Sequence, residues 1–234
     1  MWAFMNSVDV HIRNNHENVY IWWAGKRFYS VLGDGEYGTY NGQILPRGWA
    51  LAHWAKFAKE TYHVSTVVSG NILNTSNSPV AISTSNFNPI NYTNLGAGQH
   101  GGDSTSPEVI SPKVTAFVKL KDKNYGTSRP MPDPFPVNLS AWNGNAADIE
   151  YISFVMFTPR NNVGTNGYNM GNVKLEVPPG FKIRGAEAMR SKEPSDGSRN
   201  VVPEWETVGV SSDRSAAYVN LPVGQILSVR LFNE

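Results

Sequence analysis

The sequence predicts a mainly β protein in which a helix–strand–helix segment precedes many short strands. Three observations carry this. Apolar residues recur at helical steps only up to about residue 60. From Tyr62 onward that periodicity vanishes, and short β-branched and aromatic runs take over, separated by glycine, proline and asparagine. Such spacing is that of a sandwich or barrel. Between the two opening helical stretches lies one strand-like run, Val19 to Trp23, that ends in aromatics and cations.

The elements follow in order. Residues Met1 to Asn15 form a helix because Trp2, Met5, Val8 and Ile12 make one apolar stripe. Asn14, Asn15 and His16 end it. No capping residue precedes it, as in a chain cut inside an element. The run Val19-Tyr20-Ile21-Trp22-Trp23 reads as a strand buried on both faces. Lys26, Arg27 and Tyr29 follow and cannot all be buried cheaply without partners. In parallel sheets and (β/α) barrels, the carboxyl end of a strand is where ligands bind. Indole stacks on the apolar face of a sugar ring, and guanidinium grips a carboxylate in bidentate fashion. The alternative is that both tryptophans are core and Arg27 is a solvated cation.

Turn chemistry comes next, in Gly33-Asp34-Gly35-Glu36-Tyr37-Gly38 and Tyr40-Asn41-Gly42. Pro46 opens a second helix, where its missing N–H costs nothing. Trp49, Ala50, Trp54, Phe57 and Ala58 give that helix an apolar face. Beyond it, strands are expected at His63–Ser69, Val80–Ser85, Val114–Leu120, Ile149–Phe157, Val173–Val177, Lys182–Met189, Thr207–Val210, Ala216–Leu221 and Ile226–Phe232. Ile149–Phe157 is apolar on both faces and is expected to be central. Phe87–Pro112 and Asp122–Pro136 are polar loops, the second extended by its four prolines.

Composition excludes several functions. The 234 residues carry a net charge of +1, which argues against nucleic acid or an anionic membrane as partner. No run is long enough to span a bilayer, and the N-terminus lacks a signal-peptide pattern. With no cysteine, neither disulfides nor thiolate metal sites form. Charged residues make up only 17%, a bias suited to a β-rich protein outside the cytoplasm. The five histidines show no ligand spacing and read as solvated or core residues. No metal or cofactor is expected. Asn91-Tyr92-Thr93 and Asn138-Leu139-Ser140 fit glycosylation acceptors.

The stretch YIWWAGKRFY (Tyr20–Tyr29), followed by Leu45-Pro46-Arg47-Gly48-Trp49-Ala50-Leu51-Ala52-His53-Trp54-Ala55-Lys56-Phe57, resembles the last strand and last helix of the catalytic barrel of glycoside hydrolase family 30. The β-rich remainder resembles that family's C-terminal β-sandwich side domain, and the Ser215–Leu221 and Ile226–Phe232 runs its final hairpin. The resemblance implies a fold class: mainly β, an antiparallel β-sandwich side domain preceded by a helix–strand–helix remnant of a (β/α)8 barrel. It implies a boundary too, with residues 1–61 as the remnant and 62–234 as the sandwich. It further implies a secreted, periplasmic or cell-surface location, with xylan or glucuronoxylan as partner and an upstream catalytic barrel. In the glucuronoxylan-cleaving subgroup, a tryptophan lines the subsite beside the cleaved bond, and an arginine and a tyrosine hold the glucuronic acid branch. Here those positions are Trp23, Arg27 and Tyr29.

One departure is large. The family's retaining mechanism needs two carboxylic residues about 5 Å apart, and both family positions fall upstream of Met1. Asp34 and Glu36 sit in a glycine-rich turn with no apolar pocket to raise either pKa, so a solvated turn is expected. The resemblance thus implies a chain inactive alone. The alternative is a non-catalytic carbohydrate-binding or structural module, using aromatics such as Tyr125, Phe135, Trp142 or Trp205. Deprived of barrel neighbours, residues 1–60 are expected to pack imperfectly and to expose an apolar patch.

Overall fold

The computed structural model describes residues 2–15, 25–27, 30–64, 69–73, 79–81, 113–121, 145–158, 169–192, 202–222 and 224–234. Two helices come first, α1 (Trp2–Asn15) and α2 (Pro46–Phe57). The strands are β1 (Tyr62–Val64), β2 (Ser69–Leu73), β3 (Pro79–Ala81), β4 (Lys113–Leu120), β5 (Ile149–Thr158), β6 (Asn169–Glu176), β7 (Ile183–Lys192), β8 (Glu204–Glu206), β9 (Gly209–Val210), β10 (Ala216–Leu221) and β11 (Gln225–Asn233). They build a six-stranded sheet of order β1-β4-β5-β11-β7-β8 and a five-stranded sheet of order β3-β2-β6-β10-β9. Every pairing is antiparallel. The molecule is therefore mainly β, with two short helices among the described residues. The expected Val19–Trp23 strand and both long polar loops lie outside them.

The side-chain period of a strand explains why β5 is central. Ile152, Phe154 and Met156 enter a cluster shared with Val173 and Leu175 of β6 and Ala217, Val219 and Leu221 of β10. Val155 and Phe157 enter a second cluster with Phe4, Met5 and Val8 of α1 and Ala50, Trp54 and Phe57 of α2. Successive residues of a strand face opposite ways, so a strand covered on both sides carries apolar residues on both faces. On β11, Leu227, Val229 and Leu231 join the first cluster and Ile226 the second. The six-stranded sheet thus has the other sheet on one face and the helices on its outer face.

The expectation that residues 1–60 pack imperfectly is corrected for both helices. The polar residues on the outer face of the sheet match them. Thr115 of β4 donates to Asp9 Oδ1 of α1 at 2.5 Å. His53 of α2 lies between Ser228 of β11 and Ser191 of β7, with ring nitrogens at 2.8 and 2.9 Å from the two hydroxyls. The last carbonyls of a helix have no intrahelical partner, and the sheet supplies donors for those of α2. Ser153 Oγ donates to the Phe57 carbonyl. Arg230 Nη2 donates to the Lys56 carbonyl at 2.6 Å, and just past the helix Tyr151 OH donates to that of Lys59 at 3.2 Å. Arg230 also pairs with Glu187 at 2.7 Å and sits 4.4 Å from the Tyr151 ring centroid. A cation at this end favours the helix dipole.

Among the described residues up to 60, the exposed large apolar side chains are Leu32, Tyr37, Tyr40 and Ile44, all in the loop before α2. That loop is seated on the first turn of the helix. A Cβ on Gly48 would meet the Val31 carbonyl oxygen and come within 2.8 Å of Ile44 Cγ2. The Val31 carbonyl already accepts from Leu45 N at 2.9 Å. Gly48→Ala gains helix propensity of about 1 kcal/mol, but backbone cannot yield as a side chain does. A net loss of about 1–3 kcal/mol is expected. Thermal unfolding measures it, and a more stable variant would show that the loop is not seated there.

Candidate functional site

The loop that carries the predicted binding arginine is a small backbone-bonded scaffold. Arg27 N donates to Leu32 O at 2.9 Å, and Leu32 N to Gly25 O at 3.1 Å. Gly33 N donates to Gln43 O, and Gly42 N to Gly33 O, both at 2.8 Å. Leu32 therefore bridges Lys26 on one side and Ile44 on the other. Three stretches of chain lie side by side, and the last leads directly into Pro46 of α2. Ser30 and Leu45 are buried beneath them, while Gly25, Lys26 and Arg27 are exposed.

Of the three residues predicted to hold an acidic sugar, Arg27 is thus placed in solvent at a tight turn, where Ser30 N donates to its carbonyl at 2.9 Å. Trp23 and Tyr29 lie outside the described residues. The tip of the loop is built of further turns. Asp34 Oδ1 accepts from Glu36 N at 3.2 Å, so this carboxylate serves its own backbone, and Glu36 is exposed. The two carboxylates thus lie in one turn, Asp34 half-buried and Glu36 exposed. Tyr37 and Tyr40 project from the same tip and are 73% and 78% exposed. Sequence reasoning read both as turn residues. The available signal was two tyrosines three apart among glycines that already meet the demands of the turns.

Other chemistry-bearing groups have structural work. Burial pushes the His53 imidazole down from 6.5 to about 3. Its two hydroxyl partners are themselves fully buried, so it is a core histidine. Asp213 is held down at about 2 by hydrogen bonds, first from the Ser211 hydroxyl and then from Ser215, all within one turn. Arg190 spends its guanidinium on Glu206, with Nε and Nη2 each at 2.6 Å from a carboxylate oxygen. It also reaches Gln225 Oε1 at 2.6 Å and the Asn220 carbonyl at 2.8 Å. Those bonds tie edge strand β8 to β11 and to β10 of the other sheet. Among the described residues no cluster of three His, Asp or Glu could hold a metal ion.

Among the aromatics considered for a binding module, Tyr125, Phe135 and Trp142 lie outside the described residues, as do both glycosylation triplets. Trp205 is on β8, 56% exposed, with Lys56 Nζ 4.9 Å from its ring centroid. No protein-family model matches the chain, and no curated protein matches it either. Its own residues give a backbone-bonded loop that offers a guanidinium and two phenol rings to solvent.

Proposed function

We propose that this chain is the C-terminal part of a secreted glycoside hydrolase resembling the family 30 xylanases, and that its role is to hold an acidic xylan. In this reading the two sheets are the side-domain sandwich, and α2 with the loop before it is the end of the catalytic barrel. Arg27 grips the carboxylate of a glucuronic acid branch, aided by Tyr29, while Trp23 lines the neighbouring sugar subsite. The carboxylate pair of the retaining mechanism belongs to the upstream barrel, so the chain alone does not hydrolyse.

The observation that carries this is the exposed Arg27, held on a backbone-bonded loop that is fixed to the start of α2. Guanidinium matches a carboxylate with two parallel hydrogen bonds, and lysine does not reproduce that fork. Affinity electrophoresis on glucuronoxylan and on its carboxyl-reduced form tests it. Wild type is expected to be retarded more by the acidic polymer. Arg27→Ala and Arg27→Lys should each lose that difference, by about tenfold in affinity for alanine. Equal retardation of wild type by both polymers would sink the acidic-branch reading.

A second reading, a non-catalytic sugar-binding module, draws on the exposure of Trp205. Loss of polysaccharide retention in Trp205→Ala but not in Arg27→Ala would favour it.

A further inference from the structure

We propose that Tyr37 and Tyr40 form a two-ring platform for neutral sugar residues of the polysaccharide backbone, on the same loop as Arg27. This rests on the glycan reading above and extends it from the acidic branch to the main chain.

Exposure is the first observation. At 73% and 78%, these two rings are the most exposed large apolar side chains among the described residues. Burial therefore does not account for either ring.

Backbone conformation is the second. Gly35, Gly38 and Gly42 hold φ of +94°, +78° and +80°, as the turns require. Tyr37, in their midst, holds φ of +50°. A bulky side chain is disfavoured there, by roughly 1–2 kcal/mol. Glycine would take this position without strain, as it does at three neighbours. A strained residue in an exposed turn is a reason to look for function.

Rigidity is the third. Thr39, between the two tyrosines, is buried and its hydroxyl donates to Glu36 O at 2.8 Å. Tyr40 N donates to Gln43 Oε1, and Gln43 N to Tyr40 O, both at 3.0 Å. A Cβ on Gly33 would lie 2.5 Å from the Tyr40 carbonyl oxygen, so the turn is pressed against Gly33. These contacts fix the backbone of the turn, while both tyrosine side chains are exposed. Such an arrangement lowers the ordering cost of binding, and tyrosine adds little rotamer entropy of its own. Each ring offers an apolar face with a hydroxyl at its edge. That matches a pyranose, which has an apolar face rimmed by hydroxyls.

Isothermal titration of the whole chain with xylohexaose, which has no carboxylate, and with glucuronoxylan tests the platform. Tyr37→Gly and Tyr40→Ala are each expected to weaken xylohexaose binding about tenfold, and the double variant to abolish it. A cooperative thermal transition in Tyr37→Gly shows that its loss of binding is not loss of fold. No xylohexaose binding by wild type, or wild-type binding by the double variant, would overturn the platform. Unchanged glucuronoxylan binding in Arg27→Ala, with xylohexaose binding lost in the tyrosine variants, would remove the acidic-branch reading alone.

Discussion

Trp54→Ala is expected to destabilise the protein by about 3–5 kcal/mol and to uncouple the helices from the sheet. Trp54 is 3% exposed and sits in the cluster that joins α1 and α2 to β4, β5, β7 and β11. Its ring meets Phe117 edge-on at 6.3 Å and Phe157 at 6.5 Å. Such aromatic pairs add about 0.5–1.5 kcal/mol each beyond area burial, and alanine removes both along with the volume. Trp54 Nε1 is buried with no hydrogen-bond partner among the described residues. Trp54→Phe should therefore be much milder, since it keeps an aromatic ring and deletes an unsatisfied donor. Urea unfolding followed by far-UV dichroism separates the cases. The wild type should unfold in one transition and Trp54→Ala at a lower midpoint, with the helical signal lost first. A Trp54→Ala variant within about 1 kcal/mol of wild type would show that the helix layer contributes little to the stability of the sheet.

The importance of that layer was poorly legible in the sequence, for a specific reason. Ser228 and Arg230 alternate with Leu227, Val229 and Leu231 along β11. Alternation of this kind reads as a strand with one wet face. In the structure the polar positions are covered, because α2 brings a histidine and free carbonyls to meet them. Pattern alone cannot separate a polar residue facing water from one facing a helix terminus. By contrast, β5 was legible because Phe154-Val155-Met156-Phe157 puts apolar residues on both faces in succession, which requires burial on both. Proline at the first turn of α2 likewise marked its start. The strand expected at His63–Ser69 is described only at its ends, residues 65–68 lying outside the described residues. Its ends belong to β1 and β2, which lie in different sheets, and β-propensity does not show where a chain crosses between layers. Edge strand β8 was missed because a three-residue strand, Glu204–Glu206, has too few positions to show alternation. At the candidate site, guanidinium chemistry pointed to Arg27. The two tyrosines were hidden by glycines that explained the turns without them.

Acidification should weaken the fold through His53, and this is the largest pH effect expected of any single group described. Burial holds the folded imidazole at about 3, against 6.5 for the free side chain. Above pH 6.5 both states are neutral and the group adds no pH dependence. As pH falls below 6.5, the unfolded chain takes up a proton that the folded chain refuses. Stability then falls by about 1.4 kcal/mol per pH unit. The fall continues until the folded imidazole also titrates, near pH 3, for a total of roughly 5 kcal/mol. The geometry gives the reason. A neutral imidazole donates from one nitrogen and accepts at the other, so it satisfies Ser228 and Ser191 together. An imidazolium has two donors and needs both hydroxyls to accept, and burial strips the charge of its hydration. His53→Gln lowers stability at pH 7, because one serine loses its partner, yet it should flatten the decline between pH 6 and 4 by about 1.4 kcal/mol per unit. Carboxylates elsewhere titrate alike in both proteins, so the difference between the two curves isolates residue 53. Urea midpoints at half-unit pH steps would measure it. Parallel curves would mean that the imidazole takes its proton in the folded state without cost, and that α2 yields there to let solvent in.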